Sequence, residues 1–226
     1  MKMTASCVLY DYWRSSASYR VRIALALKGL AYERRTVDLV SGAQRGEAHL
    51  ARNPQGLVPV FECGGLRLTQ SLAIIEYLDE TVAGPKLLPG DAEARAEIRA
   101  IAQAIACEIH PVSNLHVLAR IEALAGQDAR AAWNRDNIAS GLEAVEIMLD
   151  RPAFTGRYAH GDTPTMADCA LVPQLYNATR WEVDYTHLPR ISAVARTCAA
   201  HPAFMAAHPD HFDPSLEARV TEEERR

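Results

Sequence analysis

The feature that most limits what this chain can fold into is a change of periodicity at residues 83–91, AGPKLLPGD, which hold two prolines and two glycines. Before this stretch, short strand-like runs alternate with helical ones. After it, apolar residues recur at three- and four-residue steps almost throughout. A Pro- and Gly-rich break between two such patterns marks a linker. The sequence therefore predicts a small α/β domain over 1–84, a linker over 85–91 and an all-helical domain over 92–215. A mostly charged tail over 216–226 is expected to be disordered.

Within the first part, SCVLYDYW reads as a strand, and residues 18–28 as a helix stopped by Gly29. YERRTVDL is a second strand, and 41–52 is a loop with at most one helical turn. LVPVFECGGLRLTQ reads as a hairpin around Gly64-Gly65. SLAIIEYLDETV is then a helix with Ser71 at its N-cap. This β-α-β-β-β-α order, with an optional turn before the hairpin, is that of a thioredoxin-like domain. In the second part the helical pattern covers 91–123, 129–150, 165–180 and 189–198, and Thr165 and Asp168 have capping-box spacing.

Several function classes fall away. A net charge of -4 gives no electrostatic footprint for nucleic acid. No apolar run approaches the roughly 20 residues needed to span a bilayer, and the N-terminus lacks a signal-peptide pattern, so a cytoplasmic protein is expected. Cys7, Cys63, Cys107, Cys169 and Cys198 are an odd number at wide spacing with no C-x-x-C, which reads as reduced, buried thiols. The histidines have no metal spacing, and no metal is expected.

Three places in the first domain suit an anionic, peptide-like ligand. RSSASYRVR puts hydroxyls where a helix begins, and a helix N-terminus offers unpaired N–H groups and a positive dipole that favour a thiolate over a thiol. Val58-Pro59, after NPQGL, is either an edge feature or a cis bond that turns the Val58 backbone outward. Gln70-Ser71 sits at the mouth of the next helix, a place fit for a carboxylate. Taken alone, any one of these serines reads as an ordinary helix cap; the three places together, in this order and spacing, are more specific.

Together these segments resemble the zeta-class glutathione transferases, the group that includes maleylacetoacetate and maleylpyruvate isomerases. The resemblance rests on YWRSSASYRVRIALALKG, NPQGLVP, QSLAIIEYLDE, LLPGD, IHPVSNLHVL, GDTPTMADCALVPQL and RWEVDYTHLP, which span residues 10 to about 190. It implies a glutathione transferase fold, glutathione as cofactor and a homodimer. It also implies cis-trans isomerisation of small unsaturated keto-diacids by reversible thiolate addition to the double bond. Ser15 takes the position of the serine that donates to the thiolate, beside Ser16 and Ala17. Val58 and Pro59 are implied to meet the cysteinyl backbone, Gln70 and Ser71 the γ-glutamyl end, and Gln44 another part of the ligand. Where the family has cysteine this chain has Ala17, so no haloacid adduct is expected at that position.

Arginine grips carboxylates bidentately, and the resemblance places Arg14 and Arg180 at the two ends of a diacid substrate. Arg20 and Arg22 read as structural ion-pair residues. Pro111 falls inside a helical pattern and predicts a kink. His110 and Asn114, four apart, are expected on one helix face toward glutathione or substrate, His116 less so. Two other readings share the serine motif: a transferase that conjugates electrophiles or acts on haloacids, and a non-catalytic glutathione-binding module. The residues serve maleylacetoacetate and maleylpyruvate equally.

Overall fold

The computed structural model describes residues 6–215; the tail expected at 216–226 lies outside them. The chain divides into two compact units. One comprises residues up to Pro85 together with those from His201 onward, and the other runs from Lys86 to Ala200.

The first unit holds β1 (Cys7–Asp11), α1 (Ser16–Leu27), β2 (Glu33–Thr36), a 3₁₀ turn (Ala43–Arg45), α2 (Glu47–Leu50), β3 (Val60–Cys63), β4 (Leu66–Thr69) and α3 (Ser71–Thr81). The sheet order is β2-β1-β3-β4. β1 runs parallel to β2, and β3 is antiparallel to both β1 and β4. The expected thioredoxin-like order is present. Alternation along β1 and β3 puts Cys7, Leu9, Phe61 and Cys63 on one face, all buried. On the other face Tyr10, Tyr12, Val37, Val58 and Val60 form a second apolar cluster. α1 packs on α3 and buries Val21, Ile23, Ala24 and Leu25 completely. Each such branched aliphatic contributes roughly 1.5–3 kcal/mol.

Two expectations change in this unit. Cys7 and Cys63 are not a pair of reduced thiols but a disulfide, with Cα atoms 4.3 Å apart. They face each other across β1 and β3, and a separation of 56 residues hid that from spacing alone. Of the free cysteines, Cys169 and Cys198 are buried as expected, whereas Cys107 is exposed. The second change concerns the C-terminus. Periodicity assigns 92–215 to one helical domain, yet the residues from His201 cluster with the first unit. There α10 (Pro202–Ala206) packs on α1, and a 3₁₀ turn (Pro209–Phe212) follows.

The second unit is all helical: α4 (Ala92–Gln103), a π-helical turn (Ala104–Ile109), α5 (His110–Val112), α6 (Leu115–Ala125), α7 (Gln127–Met148), α8 (Met166–Arg180) and α9 (Pro189–Ala199). The single helix expected over 91–123 widens into the π-helical turn just before Pro111 and is interrupted at Ser113 and Asn114. Proline cannot donate to the carbonyl four residues earlier, and a widened turn precedes it. The core gathers Ile98, Ile101, Ile105, Ile138, Leu142, Val145 and Leu171. The capping box at α8 is formed: Asp168 accepts from the Thr165 N–H at 2.7 Å and from its hydroxyl at 2.9 Å. No helix among the described residues is long and apolar enough to cross a membrane.

Candidate active site

Strand register collects the candidate residues of the first unit. Tyr10 pairs with Val60 and Val60 with Thr69, while Asp11 pairs with Thr36. The end of β1, the end of β2, the start of β3 and the end of β4 therefore lie at one end of the sheet. The segments holding Arg14–Ala17, Gln44, Val58-Pro59 and Gln70-Ser71 all emerge there.

Ser15 is the N-cap of α1, in extended conformation, and its Oγ accepts from the Ser18 N–H at 3.2 Å. Its own N–H donates to the Tyr12 carbonyl at 2.9 Å, closing the turn after β1. Capping uses the hydroxyl only as an acceptor, so the O–H proton can still be donated to a ligand. The two readings of this serine are thus compatible. Ser16, which is buried, and Ala17 begin the helix, and no acidic side chain in the first turn offsets its dipole.

Arg14 lies over the Trp13 ring at 4.8 Å and the Tyr12 ring at 5.9 Å, and donates to the Tyr12 hydroxyl at 3.1 Å. Aromatic stacking orients the guanidinium without neutralising it. Arg22 is in the expected ion pair, with Asp11 at 2.7 Å. Arg20 donates to the Ser71 Oγ at 3.2 Å and so ties α1 to the start of α3.

Ser71 was expected at the N-cap of α3; it is instead the first helical residue, and Gln70 is the cap. Gln70 has φ 68°, a left-handed value that a side chain rarely adopts. It makes no side-chain cap bond, and the first turn holds no acid. These N–H groups suit a ligand carboxylate.

Val58-Pro59 is cis, and both residues are buried. Gln44 lies on the 3₁₀ turn, and its side-chain Oε1 is buried with no partner. Its carbonyl is 3.2 Å from where a Cβ on Gly56 would sit, and Gly56 has φ +62°. Only glycine lets these two loops pass so closely.

Three residues here carry no label in the periodicity. Gln55 Oε1 accepts from Gln70 Nε2 at 2.9 Å. Asn53 Nδ2 donates to the Leu57 carbonyl at 2.8 Å, and His49 Nε2 meets the same oxygen at 2.9 Å. His49, on α2, is buried. The Asn-Pro dipeptide of NPQGL, a turn former, was the one local signal for this loop.

In the second unit, His110 and Asn114 do not share a continuous helix face. α5 ends at Val112 with Ser113 as its C-cap, and Asn114 is the extended N-cap of α6. Both are half-buried, while His116 is exposed. Arg180 closes α8, exposed, with its guanidinium 6.0 Å from the Tyr176 ring.

A buried acceptor without a partner at Gln44, uncapped N–H groups at Ser71 and a free hydroxyl proton at Ser15 fit a tripeptide with carboxylates, amides and a thiol. Residues 5–80 match the family model described as the N-terminal domain of glutathione S-transferases. A maleylacetoacetate isomerase of Rhizobium meliloti is 57% identical over 94% of this chain and 100% of its own length. A solved bacterial maleylpyruvate isomerase, described as a zeta-class glutathione transferase, is similar with TM-score 0.86 and 44% identity over 89% of this chain and 96% of its own. The chain belongs to the zeta class of glutathione transferases. Another solved relative, the maleylacetoacetate isomerase of Anaeromyxobacter dehalogenans, has bound glutathione in its active site. Its TM-score is 0.83, with 45% identity over 94% of this chain and 98% of its own.

Proposed function

We propose that this zeta-class protein is a glutathione-dependent isomerase that converts small cis-unsaturated keto-diacids of the maleylacetoacetate or maleylpyruvate type to their trans forms. The observation that carries the proposal is Ser15, held as a helix cap through an accepted hydrogen bond yet keeping its proton for a ligand. Bound glutathione supplies a thiolate that adds reversibly to the double bond and so permits rotation.

The chain's own residues do the rest. The Ser15 hydroxyl and the N–H groups of Ser16 and Ala17 donate toward the sulfur position and favour its ionised form. The Gln70 side chain and the N–H groups at Ser71 hold the γ-glutamyl carboxylate. The backbone beside Pro59 at Val58 pairs with the cysteinyl residue, and Gln44 accepts from a ligand N–H. Arg14, preset by Trp13 and Tyr12, and Arg180 are assigned to the substrate carboxylates, and His110 and Asn114 to further substrate and glutathione contacts. A homodimer in the cytoplasm is part of the same reading and is tested by sedimentation and by fractionation.

The test is isomerisation of maleylpyruvate and of maleylacetoacetate by purified protein, with and without glutathione. Conversion that requires glutathione, with glutathione recovered unchanged, is the expected result. Binding of glutathione with no conversion of either diacid sinks the isomerase and leaves the conjugating transferase to be tried on electrophiles.

A further inference from the structure

The residue with the widest reach in the first unit is Arg22, which is 1% exposed and lies on α1 away from the proposed ligand contacts. Its Nη1 donates to Asp11 at 2.7 Å, its Nη2 to the Trp13 carbonyl at 2.9 Å and its Nε to the Ala207 carbonyl at 3.2 Å. Its guanidinium carbon lies 4.7 Å from the Phe212 ring. On the same ring, 5.0 Å away, lies Arg34, which pairs with the other oxygen of Asp11 and donates to the Phe212 carbonyl at 3.4 Å.

A buried ion pair is no efficient way to hold a fold, since apolar residues of the same volume serve as well. The bond from Nη2 of Arg22 has a different meaning. The Trp13 carbonyl it holds belongs to the peptide that leads into Arg14, while the Trp13 ring carries the Arg14 guanidinium. Ser15 follows, tied back to Tyr12. One planar fork therefore fixes the turn that presents both Arg14 and Ser15, and is itself fixed by a segment returning from the far end of the chain.

We propose that Arg22 is a positioning residue for isomerisation, and that the C-terminal segment containing Ala207 and Phe212 sets the Arg14–Ser15 turn through it. This rests on the proposed function, in which Ser15 meets the thiolate. In that reading Gln70, Ser71, Val58 and Gln44 also hold glutathione, and the hydrogen bonds of Arg22 go to Asp11, Trp13 and Ala207 instead. Loss of the fork is thus expected to affect turnover and thiol ionisation more than glutathione affinity.

The experiment compares Arg22→Gln, Phe212→Ala and, as a control, Lys28→Met, which breaks the buried Lys28–Asp79 ion pair toward the other end of α1. For each, kcat, glutathione Kd, the ultraviolet titration of the bound thiol and hydrogen exchange of the 12–19 peptide are measured. In Arg22→Gln, kcat is expected to fall about 10- to 100-fold, as a displacement near 1 Å costs. The Kd should stay within about threefold, while the bound thiol titrates closer to the free-thiol value of about 8.5. Exchange of the 12–19 peptide rises. Phe212→Ala shifts the same quantities in the same direction by less, and Lys28→Met lowers stability without moving them.

Turnover, thiol titration and peptide exchange that match wild type in Arg22→Gln, or that move equally in Lys28→Met, overturn the proposal. If Arg22→Gln does not fold, Phe212→Ala decides by the same criteria. A wild-type chain that binds no glutathione sinks the functional reading instead. In that case exchange of the 12–19 peptide in the variants still supports or refutes the coupling of Arg22 to the turn.

Discussion

The side-chain amide of Gln70 donates to Oε1 of Gln55 across 2.9 Å, joining the loop before β3 to the mouth of α3. Both side chains are exposed, so the bond adds little to folding. Its consequence is the direction in which Gln70 points. Gln55→Ala is expected to leave the melting temperature unchanged and to weaken glutathione binding about fivefold, the worth of one ordinary hydrogen bond near 1 kcal/mol. Calorimetric titration reads this directly. Unchanged affinity would remove Gln55 from the site.

Ser15 serves as cap and donor at once, and substitution can separate the two. Ser15→Ala loses both, costing about 1 kcal/mol of stability and most of the turnover. Ser15→Asp restores the cap acceptor but offers no proton and repels a thiolate. It should therefore recover stability in urea unfolding while remaining inactive. An active Ser15→Asp enzyme would show that the hydroxyl proton plays no part.

Asp168 carries a pH signature. Burial pushes its carboxyl up from 3.8 to about 6, against the hydrogen bonds it accepts from Ala159 and Thr165. The folded state thus holds this proton more tightly than the unfolded chain. That contribution to stability is fully present below about pH 4 and is lost as pH rises through about 6. Asp168→Ala leaves buried N–H groups without an acceptor, roughly 1–3 kcal/mol each. The stability gap between wild type and this variant should narrow by about 3 kcal/mol between pH 4 and pH 7. Urea unfolding across that range checks it, and a constant or widening gap contradicts it.

Gly141 on α7 meets the turn before Pro111 at close range. A Cβ there would lie 2.5 Å from Cγ1 of Ile109, the last residue of the π-helical turn. Ala is the better helix former by about 1 kcal/mol, yet overpacking costs roughly 1–3 kcal/mol, so Gly141→Ala is expected to destabilise slightly. The sharper test is a double-mutant cycle with Ile109→Ala. Coupling of at least about 0.5 kcal/mol in favour of the double variant is expected, and additive effects would mean that the turn yields freely.

How far the site was readable depends on the range of each signal. Ser15, Val58-Pro59 and Gln70-Ser71 stand at element boundaries, so hydroxyls, prolines and turn residues marked them. Pro111 marked where the helix is disturbed, and a π-helical turn does precede it. The placing of Asn114 was not visible, because a four-residue spacing implies a shared face only while the helix continues, and it ends at Val112. Gln55 and His49 carried no periodic signal, since their partners lie across a loop.

By itself, the sequence determined the order of elements from β1 to α3 and the Thr165–Asp168 capping box. Each depends on spacings of two to four residues, which side-chain alternation and helical pitch convert directly into structure. The tertiary structure alone decided that Cys7 meets Cys63, 56 residues away, and that Arg22 meets Ala207, 185 residues away. Strand register and the return of α10 onto α1 bring these groups together, and no local pattern encodes a path of that length.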